Sequence, residues 1–134
     1  MDIKEINRTT IARFRAGEEL GNGMHRERLV LLTTTGRRTG VQRTSPMMFH
    51  RDGDRILVIA SNMGAARHPE WYLNLVADPQ VGVELDGDSY RGTATPLQGA
   101  ERERVWAELT RHYPFLADHE AGTARTIPVV AITR

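Results

Sequence analysis

Apolar positions recur at helical spacing from the start of the chain, where Ile3, Ile6, Ile11 and Phe14 share one face and the glycines of "GNG" at 21–23 supply a stop. The spacing predicts an amphipathic helix over residues 3–20, within an N-terminal segment 1–22. Its apolar face is narrow, and Asp2, Glu5, Glu18 and Glu19 would repel anionic lipid. Packing on the domain is therefore favoured over lying on a membrane surface, although peripheral membrane contact stays open. From Arg28 the period changes. "RLVLLTTT", "RTSPMMFHR" and "RILVIAS" are short runs rich in branched and apolar residues, separated by "GRRTG" and "DGD", and they predict a meander of strands.

A helix is predicted to begin near Pro69 and to continue through "EWYLNLVA" until Asp78-Pro79 ends it. "VGVEL" and "YRGTATPL" flank the turn "DGDS" as two more strands. "AERERVWAELTRHY" then reads as a helix with Val105, Trp106 and Leu109 turned inward, and "TIPVVAIT" as a sixth strand. Six short strands, mostly joined by hairpins, with one helix ahead of them and others between them, predict an α+β fold: a small, mainly antiparallel barrel, closed or half-closed. No linker or repeat divides residues 1–134, so one domain is expected.

Composition narrows the function classes. Hydrophobic residues at 40% and charged residues at 26% are ordinary for a globular domain. No apolar run approaches the roughly 20 residues of a transmembrane helix, and "MDIKEINRTT" lacks the apolar stretch of a signal peptide, so a cytoplasmic location is expected. A net charge of +1 gives no overall field for nucleic acid. The chain has no cysteine, and its histidines, at 25, 50, 68, 112 and 119, show no close ligand spacing, so no metal site is expected. Walker and Rossmann glycine patterns are also lacking.

Two stretches carry candidate chemistry. In "TTTGRRTGVQRTSP", residues 33–46, Arg37, Arg38 and Arg43 surround one hairpin turn held by Gly36 and Gly40. Three guanidinium forks beside free backbone amides form a ready cradle for phosphate. In "ASNMGAARHPEWYLN", residues 60–74, a strand end passes through a loop of small residues into a helix bearing Trp71. Backbone exposed by small side chains, with an aromatic wall nearby, suits a flat ligand.

Together, "LLTTTGRRTGVQRTSPM", "ASNMGAARHPEWYLNL", "DPQVGVEL" and the late "YP…RTIPVV" resemble, in order and spacing, the deazaflavin-dependent nitroreductase family of actinobacterial split-barrel proteins, over roughly residues 28–131. The resemblance implies a split β-barrel that binds reduced coenzyme F-420, an 8-hydroxy-5-deazaflavin, and passes hydride to nitro compounds, quinones or activated alkenes. It implies that Arg37, Arg38 and Arg43 grip the coenzyme's phosphodiester and acidic tail. Pro46, Met47 and Met48 would lie beside the deazaflavin ring, with Ala60, Ser61 and Asn62 along its other edge and Trp71 and Asn74 on the following helix. Ser61 and Tyr113 are then the candidates for stabilising a developing oxyanion.

Nitroimidazole-reducing members of that family carry tyrosines where this chain has Met48, Leu116 and His119, and a lysine in place of Asn62. The more apolar pocket favours hydrophobic enones or quinones over nitroimidazoles. Two other readings use the same arginine cluster: a flavin mononucleotide (FMN) oxidoreductase on the same barrel, and a non-catalytic carrier of deazaflavin or of another hydrophobic ligand. Monomer and homodimer are both compatible with the sequence.

Overall fold

The computed structural model describes residues 2–21 and 23–134; Met1 and Asn22, which the sequence reading includes in the N-terminal segment and its glycine stop, lie outside the described residues. In chain order the elements are α1 (Ile3–Ala16), β1 (Leu29–Thr35), β2 (Gln42–Met48), β3 (His50–Asp52), β4 (Arg55–Ile59), α2 (Glu70–Ala77), β5 (Gln80–Leu85), β6 (Asp88–Pro96), α3 (Gly99–His112), α4 (Phe115–Ala121) and β7 (Val129–Thr133). Short 3-10 turns occupy Arg26–Arg28 and Asn62–Gly64.

Among the described residues the strands form one seven-stranded antiparallel sheet, in the order β2-β1-β5-β6-β7-β4-β3. The count is seven, not the expected six, because "RTSPMMFHR" divides at Phe49. Met48 pairs with Leu29 on β1, whereas His50 pairs with Leu57 on β4. The first and last strands in the sheet order are thus consecutive in sequence, joined by one residue whose N–H donates to the Arg28 carbonyl at 3.2 Å. That junction curls the sheet into an open half-barrel, in keeping with the half-closed barrel predicted from the strand pattern and the split barrel implied by the resemblance.

Three apolar clusters explain why some strands read as continuous hydrophobic runs. Val30, Leu32, Ile56, Val58, Val81, Val83, Val130 and Ile132 point into the barrel, where Leu75 of α2 joins them. On the opposite face of β1, Leu29 and Leu31 meet Phe14 of α1 and Leu20. Leu57, Val129 and Ala131 pack under Val105, Trp106 and Leu109 of α3 and Leu116 of α4. Strands β1, β4 and β7 are covered on both faces, so strict alternation is lost.

Helix boundaries differ locally from the sequence expectation. Asp2 caps α1 by accepting from the Glu5 N–H at 2.8 Å, and the helix ends at Ala16 instead of residue 20 because Gly17 turns left-handed, φ 74°. The expected helix over residues 100–113 is interrupted after His112, and the chain restarts at Phe115, behind the capping residue Pro114, as α4, which the sequence reading lacks.

Candidate functional site

The β1–β2 hairpin turn is built from its glycines and braced by α2. Gly36 N–H donates to the Val41 carbonyl and Gly40 N–H to the Gly36 carbonyl, each at 2.8 Å, with Gly40 at φ 72°. Asn74, only 6% exposed, accepts from the Arg37 backbone N–H and from its guanidinium, both at 3.2 Å. The Asn74 amide donates in turn to Thr34 Oγ1 at 3.3 Å. Glu70 accepts from Arg37 Nη1 at 2.6 Å, and this bond, helped by the Arg37 charge, holds the Glu70 carboxyl below its usual range. Among the described residues, neither Arg38 nor Arg43 has a carboxylate partner.

These side chains line a groove of about 760 Å³ that α1 closes on its far side with Lys4, Asn7, Arg8 and Ile11. Helix α1 is held in that position by a bidentate Arg15–Glu84 pair at 3.0 and 2.8 Å, and by Arg26, which donates to the Phe14 carbonyl at 2.8 Å. Five cationic side chains, Lys4, Arg8, Arg37, Arg38 and Arg43, therefore border one groove against a single carboxylate, Glu70.

Trp71 lines this groove and also a neighbouring hollow of about 310 Å³. Pro46, Met47 and Met48 of β2 form one side of the hollow, and Ile59, Ser61, Asn62 and Met63 face them, with Phe115 and Leu116 of α4. Met63, 80% exposed, and Phe115 leave an apolar rim at the solvent side. The loop carrying Ser61 is backbone-strained: Asn62 at φ 48° and Met63 at φ 56° precede Gly64 at φ 80°. A Cβ at Gly64 would lie 3.0 Å from the His119 carbonyl, so the loop can seat against α4 only with glycine there.

Arg125 holds that loop from behind. Its guanidinium donates to the carbonyls of Ala60 at 3.2 Å, Ser61 at 2.7 Å and Ala65 at 3.0 Å. Burial, and secondarily the Arg125 charge, push the His68 imidazole below its ordinary value and favour its neutral form. At the opposite end of the loop, Ser61 Oγ lies 3.2 Å from His119 Nδ1.

Most of the residues expected from the sequence converge on these two spaces. Arg37, Arg38, Arg43, Trp71 and Asn74 line the groove; Pro46, Met47, Met48, Ser61, Asn62 and Trp71 line the hollow. Two do not. Ala60 is fully buried beneath the loop, its N–H donating to the Pro128 carbonyl at 3.0 Å. Tyr113 directs its hydroxyl to His50 Nδ1 at 3.0 Å and is not part of the hollow lining. Lys4 and Arg8 join the groove and Arg125 braces the Ser61 loop without having been expected there, whereas His119, a position where the resemblance places tyrosine in nitroimidazole-reducing members, meets Ser61 from behind the lining. For Lys4 and Arg8 the i,i+4 spacing of like charges on one helix was a readable signal.

Both spaces fit a ligand with a flat apolar ring system and an anionic extension, the ring beside the methionines and the anion among the arginines. The Arg37–Glu70 pair tests this electrically. Glu70→Gln removes the competing carboxylate, and inorganic phosphate or a phosphorylated ligand is expected to bind about two- to fivefold more tightly, measured by calorimetry. Because the Glu70 carboxyl is held low, the ion pair is present at neutral pH and is lost only as pH falls through that lowered value. The gain in the variant should accordingly vanish in acid.

Comparison with known proteins identifies the family and the fold. The family model described as "F420H(2)-dependent quinone reductase" matches residues 6–134. An F420H(2)-dependent quinone reductase of Mycobacterium tuberculosis is 36% identical over 108 residues, covering 78% of this chain and 72% of that protein. A solved F420-H2 dependent reductase (FDR-A) superposes with a TM-score of 0.72 at 35% identity, covering 82% of this chain and 99% of that one. Another solved structure, described as a domain-swapped dimer, gives a TM-score of 0.74 at 32% identity, covering 93% and 94% of the two chains. With its family model spanning nearly the whole chain and relatives above 30% identity, this protein belongs to the F420H(2)-dependent quinone reductase family.

Proposed function

We propose that the chain reduces a hydrophobic quinone with reduced coenzyme F-420, and that the groove and hollow are the two parts of one coenzyme and substrate site. The supporting observation is the junction at Trp71, where a five-cation groove runs into an apolar hollow. When bound, the coenzyme supplies the hydride. Arg38 and Arg43, free of carboxylates, hold the phosphodiester; Arg37, already braced by Asn74 and Glu70, shapes the turn and contributes a second-line charge. Pro46, Met47 and Met48 provide a dry surface for the ring, and Ser61 Oγ is the hydrogen-bond donor for the substrate oxygen on which charge develops. Tyr113, committed to His50, has no part in this reading.

Substrate class follows from the lining. Among the hollow-lining side chains only Ser61 and Asn62 carry hydrogen-bonding groups besides the Trp71 indole N–H, while Met48, Met63, Phe115 and Leu116 are apolar. Such a surface favours quinones and hydrophobic enones over polar nitroaromatics, whose oxygens need several donors. The chain's assembly is proposed to be a monomer or a homodimer.

A single terminal phosphate cannot engage five cations spread from α1 to the hairpin. That spread favours a longer anionic extension, as in the deazaflavin coenzyme, over FMN. Lys4→Gln combined with Arg8→Gln is expected to weaken coenzyme binding about three- to tenfold at low salt, with the loss shrinking as salt rises. FMN affinity should hardly change. Parallel titration of the protein with oxidised coenzyme F-420 and with FMN, followed by Trp71 and Trp106 fluorescence, tests the reading. Preference for FMN would reassign the enzyme, and coenzyme binding without quinone turnover would leave a carrier.

A further inference from the structure

We propose that His119 is the proton source behind Ser61, so that the pair delivers a proton from solvent to the reduced substrate's oxygen; this rests on the reductase reading above. Ser61 lines the hollow, and His119 Nδ1 sits 3.2 Å from its hydroxyl oxygen. His119 is half-buried, so its ring reaches both the serine and water. Its orientation is fixed on two sides: the Phe115 ring meets it edge-on with centroids 5.4 Å apart, and the Gly64 backbone packs against its own backbone.

The chemistry requires such a source. Hydride reduction of a quinone adds two electrons and one hydrogen, oxidises the coenzyme, and leaves one substrate oxygen negative and short of a proton. A neutral serine hydroxyl can stabilise that oxygen, but once it gives its proton away it must regain one. In the protonated state His119 donates through Nδ1: the Ser61 O–H bond breaks toward substrate, the Nδ1–H proton moves to Ser61 Oγ, and the neutral imidazole recovers a proton from water after product leaves. His119 acts through Ser61 and is a positioning residue that also supplies the proton. Charged and titratable groups on the elements packed around it are Asp118 and Glu120 on α4, Arg111 and His112 at the end of α3, and Arg125 with His68 behind the loop. Among the described residues none of these is hydrogen-bonded to the His119 ring.

His119→Asn separates proton supply from orientation, because the asparagine amide can occupy the Nδ1 position and keep the bond to Ser61 without titrating. The full chain with reduced coenzyme and a soluble benzoquinone should show kcat about tenfold lower in this variant with KM little changed. If the relay operates, kcat of the unsubstituted protein should decline with rising pH as the imidazole proton is lost, and this variant should lack that decline. Independently of turnover, the His119 imidazole resonance in a pH-titrated NMR spectrum should move when Ser61→Ala removes its partner. An unaltered pH profile in His119→Asn, or an unmoved His119 resonance in Ser61→Ala, would overturn the relay alone. Absence of turnover in the unsubstituted protein would overturn the reductase reading and the relay with it.

Discussion

Replacing Arg38 and Arg43 together with alanine is expected to weaken binding of the deazaflavin coenzyme by about 3 kcal/mol or more, at least ~150-fold in Kd, while leaving the melting temperature within about 2 °C. Both residues are exposed and neither is held by a carboxylate, so the free protein loses almost nothing when they go. The bound state loses two charge-assisted contacts that coenzyme binding would shield from water. Arg37→Ala should behave in the opposite way. It breaks contacts with Glu70 and Asn74 that brace the hairpin, so part of its effect is structural and should appear in the melt. Isothermal titration of the three proteins with oxidised coenzyme decides the matter. Affinity retained in the double variant would mean that the groove binds its anion elsewhere, or that these arginines only meet solvent.

Arg125→Ala is expected to be the most damaging single change at the site. Three carbonyls of one loop lose a shared cationic donor, and the loop contains two non-glycine residues, Asn62 and Met63, in left-handed conformations. The stability loss should be on the order of 2–3 kcal/mol, or roughly 8–12 °C in Tm. Turnover should fall further than stability, because displacement of Ser61 by about 1 Å from the substrate oxygen can cost ~100-fold. Arg125→Lys should recover only part of either quantity, since one ammonium cannot reach three carbonyls as a planar fork does. Full activity and an unchanged melt in Arg125→Ala would show that the loop supports itself. A subsidiary sign follows: without the Arg125 charge, His68 should titrate at higher pH than in the unsubstituted protein, though burial would still hold it low.

The arginine turn could be found from sequence because its chemistry is contiguous: Arg37, Arg38 and Arg43 lie within one hairpin, and the glycines mark the turn themselves. The doubly covered strands were also readable, since "LVLL" and "PVVAI" leave no polar position for a solvent face. What could not be read depends on distant partners. Arg125 stands alone in "GTARTIP", and the carbonyls it gathers lie at least 60 residues away. The resemblance placed Ala60 along the ring edge and made Tyr113 a candidate for stabilising the oxyanion; where the Tyr113 hydroxyl points and how deep Ala60 lies are set by distant partners, His50 on β3 and the Pro128 carbonyl just before β7. The division of "RTSPMMFHR" left no local trace either, because both halves have strand composition and only the curvature of the sheet decides where the partner changes. Helix α4 escaped notice for a simpler reason, being seven residues long after a proline that reads as a terminator.

The one-residue seam at Phe49 has a bearing on engineering. Because the first and last strands of the sheet are a single stretch of chain, the girth of the barrel is fixed by connectivity, and no side-chain exchange can dilate it. Mutagenesis at Met48, Met63 or Leu116 can therefore re-upholster the hollow and retune which rings it accepts, but within a constant gauge. A campaign aimed at bulkier acceptors would do better to lengthen the chain at the seam than to shrink the lining.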